Sequence, residues 1–331
     1  MRVFLTGATG YLGGRLLKAL LAAEHQIRVL VRRPERLDPE LRERLEIIQG
    51  DLGARPEAKF LEGIEALIHS GAMVRTWHRR RWMFDQVNVE GYRSLLEAAR
   101  EAGVAKVVHT SSFMALGPSG REGPLTEESP RWGGPPMNDY ERTKWAAERV
   151  SRRFVEDGGP LVSLYPAVIY GPGRRTDGNL VGKLAYLLRE GKFPGLLGSG
   201  QQRWTLAFVD DVVAGHMAAL EKGEPGGRFI LGGPTVVLRD LVERLSSLLG
   251  RPSRVRTLPI AAGKLVGAAQ VLRAYLGGPV PELTPGVAEV YRHNWVFASG
   301  RAETELGYTI TPLDDGLRRT AEWVKGLPGW D

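Results

Sequence analysis

The first thirteen residues limit the possible folds of this chain more than any other stretch. The apolar run 3–5 leads into a loop with three glycines at spacing three, and leucines at helical spacing follow. This order predicts a strand, a phosphate-binding loop and a helix. Gly7 permits a tight turn, Gly10 lets the backbone approach a pyrophosphate, and Gly13 lets the helix lie close to the strand. N–H groups at the start of the helix would face the phosphates. We therefore predict a dinucleotide site formed by Gly7, Thr9, Gly10, Tyr11, Leu12 and Gly13.

Strands and helices alternate after this loop. Apolar strands are predicted at 26–31, 45–49, 66–69 and 106–110, and a long helix at 82–102 with Val87, Gly91, Leu95 and Ala98 toward the core. The alternation indicates a parallel sheet covered on both faces. We predict an α/β fold, a Rossmann doubly wound parallel sheet with a smaller C-terminal substrate lobe. The dinucleotide-binding domain would span 1–172 and the lobe 173–331, with segments at about 203–232 returning to the first domain.

The ends of three predicted strands suggest which dinucleotide binds. Arg32 and Arg33 follow the second strand, where a carboxylate would bind the ribose of NAD and an arginine the 2′-phosphate of NADP. We predict NADP, with NAD possible and ordinary loop arginines as the alternative. Asp51, before Leu52, fits an acceptor for the adenine amino group or a turn cap equally well. The small residues after the fourth strand leave room for a cofactor across the sheet; they are Ser70, Gly71 and Ala72.

A tyrosine and a lysine four residues apart indicate the chemistry. Tyr140 and Lys144 lie at the start of a predicted helix and share one face. A nearby ammonium stabilises phenolate, so the tyrosine can exchange a proton with a substrate oxygen. Ser112, after the fifth strand, would hydrogen-bond that oxygen. Alone, such a pair is usually an exposed helix pair, but the glycine loop and the serine together favour a catalytic site.

These motifs resemble those of the extended short-chain dehydrogenases/reductases, a family that includes nucleotide-sugar epimerases and dehydratases, dihydroflavonol reductases and hydroxysteroid dehydrogenases. The resemblance covers nearly the whole chain. Its further motifs are Gly50-Asp51-Leu52, Asn88-Val89-Glu90-Gly91, His109-Thr110-Ser111-Ser112, Tyr165-Pro166-Ala167-Val168-Ile169-Tyr170-Gly171-Pro172 and Phe208-Val209-Asp210-Asp211-Val212.

The resemblance implies a role for each matched residue. Tyr140 would be the catalytic acid/base, Lys144 would bind the nicotinamide ribose and lower the pKa of the tyrosine, and Ser112 would position the substrate oxygen. Asn88 would be a structural brace. Pro166, Ala167 and Val168 would line the nicotinamide, and Phe113, Asn179 and Arg203 would contact the substrate.

Within the family, 31–33 and 228–233 resemble dihydroflavonol-reductase-like bacterial proteins, including those called hopanoid-associated sugar epimerases. Sugar-nucleotide epimerases usually carry an arginine five residues before the valine of Val209-Asp210-Asp211, where it meets the substrate diphosphate. Trp204 occupies that position here, with Arg203 beside it. The departure makes a nucleotide-diphosphate sugar less favoured, although Arg203 could still reach a phosphate.

Composition excludes several other functions. The chain of 331 residues lacks cysteine, and its six histidines show no metal-ligand spacing, so we predict no metal site. The net charge of +7 is spread along the chain, which predicts no nucleic-acid partner. With no leader and no apolar run long enough to span a bilayer, we predict a cytoplasmic protein.

The predicted lobe contains helices at 179–190, 236–249, 259–275 and 313–325. The helix at 259–275 is apolar on most sides, and we interpret it as core or subunit packing, with contact to a hydrophobic substrate as the alternative. By analogy with the family, we expect a homodimer through the helices at 82–102 and 138–157.

The main hypothesis is an NADP-dependent reductase or dehydrogenase acting on a carbonyl or secondary alcohol of a small molecule. One alternative is a nucleotide-sugar epimerase or dehydratase with a retained cofactor. The other is a non-catalytic NADP-sensing protein, against which the presence of Tyr140 and Lys144 argues.

Overall fold

Seven parallel strands form the central sheet, in the order β10-β6-β5-β4-β1-β2-β3. The computed structural model describes residues 1–120, 123–251 and 255–329; Trp330 and Asp331, predicted as a short tail, lie outside this part. The strand order reverses between β1 and β4, and ligands of such sheets bind at the carboxyl ends of the strands beside that point. Within the described residues, the strands are β1 Arg2–Thr6, β2 Gln26–Val31, β3 Leu45–Gln49, β4 Ala66–His69, β5 Lys106–Thr110, β6 Leu161–Pro166, β7 Val168–Tyr170, β8 Leu196–Leu197, β9 Arg203–Phe208, β10 Arg228–Leu231, β11 Thr235–Val237 and β12 Thr257–Leu258.

Helices cover both faces of this sheet, which confirms the predicted Rossmann-like α/β fold. The α-helices are α1 Tyr11–Ala22, α2 Pro39–Arg42, α3 Trp82–Asp85, α4 Gly91–Glu101, α5 Phe113–Leu116, α6 Asp139–Glu156, α7 Leu180–Arg189, α8 Val209–Lys222, α9 Leu238–Leu248, α10 Ile260–Tyr275, α11 Pro285–Val290 and α12 Leu313–Lys325. Short 3₁₀ segments lie at Pro34–Arg36, Leu52–Ala54 and Ala58–Leu61, and π segments at Gln86–Glu90 and Ala302–Leu306.

Apolar residues at helical spacing hold the two helical layers on the sheet. The leucines of α1 pack with side chains of β1, β2 and α8 in one continuous core on one face. Residues of α4 and α6 pack against β4 and β5 on the other face. Burial of these side chains is the main stabilising term of the fold, at about 25 cal/mol for each Å² of apolar surface.

The predicted helix at 82–102 contains a π turn. The α3 segment continues through Gln86–Glu90 into α4, which ends at Glu101. The extra residue in the π turn rotates the buried face by about one position. Asn88 and Val89 are therefore buried, whereas Val87, predicted on the core side, is only half-buried. Gly91, Leu95 and Ala98 lie in the core as predicted.

A second core lies under the smaller sheet β11-β9-β7 and helices α7, α9 and α12. One of the segments predicted to return, Arg228–Leu231, pairs as β10 with β6 in the central sheet. The helix predicted at 236–249 begins later, at Leu238, because Thr235–Val237 pairs as a strand with β9.

Of the two kinds of packing predicted for helix α10, packing in the core of this chain is wrong, since only Gly263, Gly267 and Ala274 of this helix are buried. Packing against another subunit stays a prediction. Its leucines face outward, because the small residues fill the side that contacts the rest of the protein. Among the described residues, no helix is long and apolar enough to cross a membrane.

Candidate active site

The glycine loop between β1 and α1 forms a cradle with no room for side chains. Gly7 adopts a φ of +80°, and a Cβ there would lie 2.7 Å from the backbone nitrogen of Gly71. A Cβ on Gly13 would lie 2.0 Å from the carbonyl oxygen of Gly7. No side chain caps α1 at Gly10, so the first N–H groups of the helix are left for a ligand. This geometry fits the pyrophosphate of a dinucleotide.

The cradle makes a matched pair of substitutions informative. Gly13→Ala is expected to weaken dinucleotide binding by about tenfold or more, because the new methyl group collides with the carbonyl of Gly7 and displaces the loop. Gly14→Ala is the control, since its Cβ would meet its nearest atom at an ordinary 3.4 Å. Isothermal titration with NADPH and NADH measures both variants. Equal affinity in the two variants would contradict the role of this loop.

Neighbouring residues hold the cradle against β4. The Ser70 hydroxyl donates to the Thr6 carbonyl at 2.9 Å, and the Gly71 N–H donates to the Thr6 hydroxyl at 3.1 Å. Ala72, next along the chain, is half-buried. The Tyr11 hydroxyl donates to the Gly171 carbonyl at 2.9 Å, so this side chain braces the neighbouring loop and leaves only its backbone N–H for a phosphate. The predicted residues of the loop and of the β4 end thus meet at one place.

The end of β2 presents exposed positive charge. Arg32 and Arg33 are both exposed, and one guanidinium nitrogen of Arg32 lies 3.7 Å from a carboxylate oxygen of Asp51. The other carboxylate oxygen of Asp51 accepts from the Gly53 N–H at 2.9 Å, which is the turn-cap arrangement. Half-buried Leu52 lies against Gly71, whose Cβ would be 2.9 Å from the Leu52 side chain. These groups surround the place where a ribose would lie.

The serine and the tyrosine predicted to be catalytic lie together at the carboxyl end of β5. Asn138 caps α6 by accepting from the Glu141 N–H, which places Tyr140 in the first turn of the helix. Ser112 caps the short helix α5, and its hydroxyl also hydrogen-bonds Tyr140. Burial raises the pKa of Tyr140 to about 12, partly offset by the Ser112 hydrogen bond. At neutral pH the phenol is therefore protonated and able to donate.

Lys144 lies one helical turn further along α6. Its Nζ donates to the Thr110 carbonyl at 2.9 Å and lies 5.9 Å from the centre of the Tyr140 ring. Burial lowers the pKa of Lys144 to about 8. The resemblance implied that this ammonium lowers the pKa of Tyr140. Burial is the largest cause of the raised pKa of the phenol and the Ser112 hydrogen bond opposes it, so a lowering by Lys144 stays a prediction.

Neutral aromatic rings lie beneath Lys144. His69 and His109 occupy paired positions on β4 and β5, and Tyr92 stacks on both at 4.9 and 4.2 Å between ring centres. Burial, and next the charge of Lys144, lower the pKa of His69 to about 3 and that of His109 well below its usual value. The floor of the site is thus uncharged at neutral pH.

Asn88 braces the opposite wall, as the resemblance implied. Its side-chain oxygen accepts from the Met73 N–H at 2.7 Å, and its amide nitrogen donates to the Thr143 hydroxyl at 3.1 Å. The side chain therefore ties the segment after β4 to the catalytic helix. Both ends of its amide are used in this way.

The predicted nicotinamide wall lies where the chain changes sheets. Pro166 ends β6 in the central sheet, and Val168 begins β7 in the smaller sheet. The N–H of Ala167 donates to the Leu231 carbonyl at 3.0 Å. Both Ala167 and Val168 are buried.

Of the predicted substrate residues, Phe113 lies in an aromatic cluster. Its ring packs edge-on against Trp295 at 5.2 Å and tilts against Phe297 at 5.7 Å. Trp204 is buried nearby in the same core and donates its indole N–H to the His293 carbonyl. The side chain of Arg203 is exposed. Trp295, Phe297 and Trp204 are thus buried in the core, and Phe113, which follows Ser112, is the half-buried member of this cluster.

Asn179 differs from its predicted role in substrate binding. The residue is fully buried, its side-chain oxygen accepts from the Gly182 N–H, and its amide nitrogen donates to the Gly171 carbonyl. It caps α7, so its polar groups are used inside the protein and have no contact with solvent or a ligand.

Two features of the site were not foreseen from the sequence. Arg174 donates to the carbonyls of Thr9 and Arg36, and so bridges the glycine loop and the segment after β2. Trp295 and Phe297 reach Phe113 from far along the chain. The spacing of neighbouring residues does not predict contacts between segments so far apart in the sequence. Only the position of the positively charged Arg174, just after Gly171-Pro172-Gly173, hints at its contact with the glycine loop.

Comparisons with known proteins extend over nearly the whole chain. A sequence profile described as the NAD dependent epimerase/dehydratase family matches residues 3–232. The putative dihydroflavonol 4-reductase of Synechocystis sp. is 30% identical, over 97% of this chain and 94% of that protein. The 2-alkyl-3-oxoalkanoate reductase of Stenotrophomonas maltophilia is 29% identical, over 96% and 98%. A structure of a DesIV double mutant, a dTDP-glucose 4,6-dehydratase from Streptomyces venezuelae with NAD bound, superposes with a TM-score of 0.79 at 26% identity, over 100% of this chain and 98% of that one.

Proposed function

Because the chain belongs to the NAD-dependent epimerase/dehydratase family and is an NAD(P)-dependent oxidoreductase of the extended short-chain dehydrogenase/reductase type, we propose that it is an NADP-dependent reductase of apolar ketones or aldehydes. One observation carries the proposal. Ser112 and Tyr140 are hydrogen-bonded at the carboxyl end of β5, next to the half-buried ring of Phe113, and the glycine cradle follows β1 in the same sheet.

The proposed chemistry is carbonyl reduction. Bound reduced nicotinamide supplies the hydride that reaches the carbonyl carbon. Ser112 donates a hydrogen bond to the carbonyl oxygen and holds it in place, and Tyr140 gives its phenol proton to that oxygen, so an alcohol is formed. The raised pKa of Tyr140 suits this direction, since the group must carry a proton at neutral pH. Lys144 would bind the ribose hydroxyls and return a proton toward the phenolate.

The aromatic cluster supports an apolar substrate. The half-buried ring of Phe113 lies next to Ser112 with the buried rings of Trp295 and Phe297 packed behind it, and Trp204 stands where sugar-nucleotide epimerases usually have an arginine. Two relatives are named putative dihydroflavonol 4-reductase and 2-alkyl-3-oxoalkanoate reductase, and both names describe reductases.

A nucleotide-sugar epimerase or dehydratase is the second candidate. The exposed side chain of Arg203 and the likeness to a dTDP-glucose dehydratase favour it. Such an enzyme would oxidise and re-reduce its substrate on a retained cofactor, with no net consumption of NADPH. The NADP-sensing role is weaker, because Ser112, Tyr140 and Lys144 form a complete proton-transfer set.

The proposed function is tested with the purified protein and a panel of ketones, aldehydes and nucleotide sugars. NADPH oxidation is followed by absorbance, and sugar conversion by chromatography. We expect NADPH oxidation with an apolar ketone or aldehyde. Sugar conversion without net NADPH oxidation would establish the second candidate, and cofactor binding without either reaction would favour the sensor.

Preference for NADP rests on the exposed arginines after β2. Replacing Arg32 and Arg33 together by alanine is expected to raise the KM for NADPH by about 10- to 100-fold and to change the KM for NADH little, since only NADPH carries the 2′-phosphate. Arg251→Ala, another exposed arginine, is the control. Equal effects on both cofactors would contradict the assignment.

Several coarser features complete the proposal. We propose a division into a dinucleotide-binding domain at 1–172 and a substrate lobe at 173–331, and a homodimer through the helices at 82–102 and 138–157. The partner would be a small carbonyl or alcohol, with no nucleic acid involved. The protein would act in the cytoplasm.

A further inference from the structure

Helix α10 buries small residues and exposes large apolar side chains, which is the reverse of an ordinary surface helix. Its inward side consists of small residues, with Gly267 so close to α11 that a Cβ would lie 2.7 Å from the Thr284 backbone. Its large apolar side chains face solvent, with Leu265, Leu272 and Leu276 exposed by 74%, 61% and 80%. A helix packed only to stabilise the fold places its leucines inward. This surface therefore fits contact with something outside the chain.

The exposed side chains form one continuous stripe. Residues 262, 265, 266, 269, 272 and 276 recur at three- and four-residue spacing along the same side of the helix, and all are exposed. Val280 follows immediately and is also exposed. We call Leu265, Val266, Leu272, Leu276 and Val280 the apolar patch.

Positive charge borders the apolar patch. One guanidinium nitrogen of Arg79 donates to the Tyr275 carbonyl at 3.4 Å, and the Trp77 ring packs edge-on against the Tyr275 ring at 5.5 Å. These contacts fix the segment 75–82 at the end of α10. Its exposed arginines are Arg75, Arg79, Arg80 and Arg81, here called the arginine rim.

Acidic residues are absent from both segments. The sequence has no Asp or Glu between Glu65 and Asp85, and none between Glu243 and Glu282. Arg81 forms a salt bridge at 2.9 Å with Asp139, which lies outside these segments. The other three arginines of the rim are left to attract an external anion. The apolar stripe would fit an apolar interior, and the arginines without acidic neighbours would fit an anionic outer layer. A surface with both properties is therefore complementary to this part of the protein.

We propose that the apolar patch and the arginine rim dock this protein on the surface of an anionic lipid bilayer. The 16 residues of α10 span about 24 Å, too short for the roughly 30 Å hydrocarbon core, so the helix lies in the plane of the interface. Leucines enter the acyl boundary, the arginines bind headgroups, and exposed Trp82 lies at headgroup depth. Contact between two copies is disfavoured, because it would bring two arginine rims close together.

The patch lies next to the catalytic helix. Arg81 bonds Asp139, the residue before Tyr140, and Gly286 of α11 packs against the backbone of Met137. Docking would bring the mouth of the site to the source of membrane-dissolved molecules. The docking itself stands on the patch and the rim and does not depend on the proposed reaction.

Flotation of the full chain with vesicles tests the proposal. The probes are vesicles of phosphatidylcholine alone and of phosphatidylcholine mixed with phosphatidylglycerol. We expect flotation with the anionic vesicles, at least about tenfold weaker with the neutral ones, and weaker again at about 1 M salt, where the Debye length is about 3 Å.

Two matched pairs of variants locate the surface. Leu265→Glu with Leu272→Glu should lower binding by at least about tenfold, whereas Ile310→Glu, at another exposed apolar residue, should not. Arg79→Gln with Arg80→Gln should remove the preference for anionic vesicles, unlike Arg152→Gln with Arg153→Gln on α6. Circular dichroism checks that each variant folds.

Three results would overturn the proposal. They are wild-type protein that does not float, patch variants that float like the wild type, and a wild-type dimer that ignores vesicles and dissociates when Leu265 and Leu272 become glutamate. The last result, read by light scattering, would assign the patch to contact between copies.

Discussion

Replacing Tyr140 by phenylalanine is expected to lower the turnover of carbonyl reduction by about 10²- to 10⁴-fold, the usual contribution of a positioned general acid. The ring stays, so the packing at the start of α6 is kept and only the hydroxyl that hydrogen-bonds Ser112 is lost. Cofactor affinity should therefore change little. Steady-state NADPH oxidation measures turnover, and titration of NADPH measures affinity.

A matched tyrosine makes this experiment specific. Tyr291→Phe also removes a hydroxyl from a tyrosine whose pKa burial raises to about 12, but on a different element of the protein. Turnover of that variant should stay near the wild-type value. If Tyr140→Phe keeps full turnover, the proton donor is another group and the proposed mechanism is wrong.

Replacing Lys144 by methionine is expected to abolish most turnover and, at the same time, to stabilise the protein without cofactor. The side chain is buried as a cation that donates a hydrogen bond to the Thr110 carbonyl. Burial lowers the pKa of Lys144 from 10.5 to about 8, so the charged form costs folding free energy at neutral pH. We expect a gain of about 1 to 3 kcal/mol in the free energy of unfolding near pH 7, reduced from the full shift by the lost hydrogen bond.

The pH dependence of that gain identifies its cause. The unfolded lysine binds a proton up to about pH 10.5 and the folded one only up to about pH 8, so the cost is fully present below about 8 and disappears as the pH rises toward 10.5. Denaturant unfolding at neutral pH and near pH 10.5 should show the gain shrinking. Lys192→Met, at an exposed lysine, is the control. A gain that is independent of pH would point to better packing instead of a removed charge.

The central sheet was predictable because each strand is a short apolar run bounded by polar or small residues. The bounds of β2, β3, β4 and β5 match those read from the sequence. The helix that carries Tyr140 was predicted at 138–157 and is observed at Asp139–Glu156. The glycine spacing likewise indicated the cradle, because only a residue without Cβ fits at Gly13.

The remaining differences depend on tertiary contacts. The π turn at Gln86–Glu90 leaves no mark in composition, and β11 is a strand only because β9 lies beside it. A helix that is apolar on most sides looks the same in sequence whether it is buried or exposed, so the outward direction of the leucines of α10 could not be predicted. The pKa of Tyr140 reflects burial by residues distant in the chain, which a four-residue spacing does not encode.

The passage of the chain from β6 to β7 has a mechanical consequence. Pro166 is the last residue paired in the large sheet, Val168 is the first paired in the small one, and Ala167 between them is itself hydrogen-bonded to Leu231. A hinge needs residues that are free to change their backbone angles, whereas the sheet pairing and the hydrogen bond of these three residues restrict those angles. The large and the small sheet are therefore joined stiffly at this point of the chain.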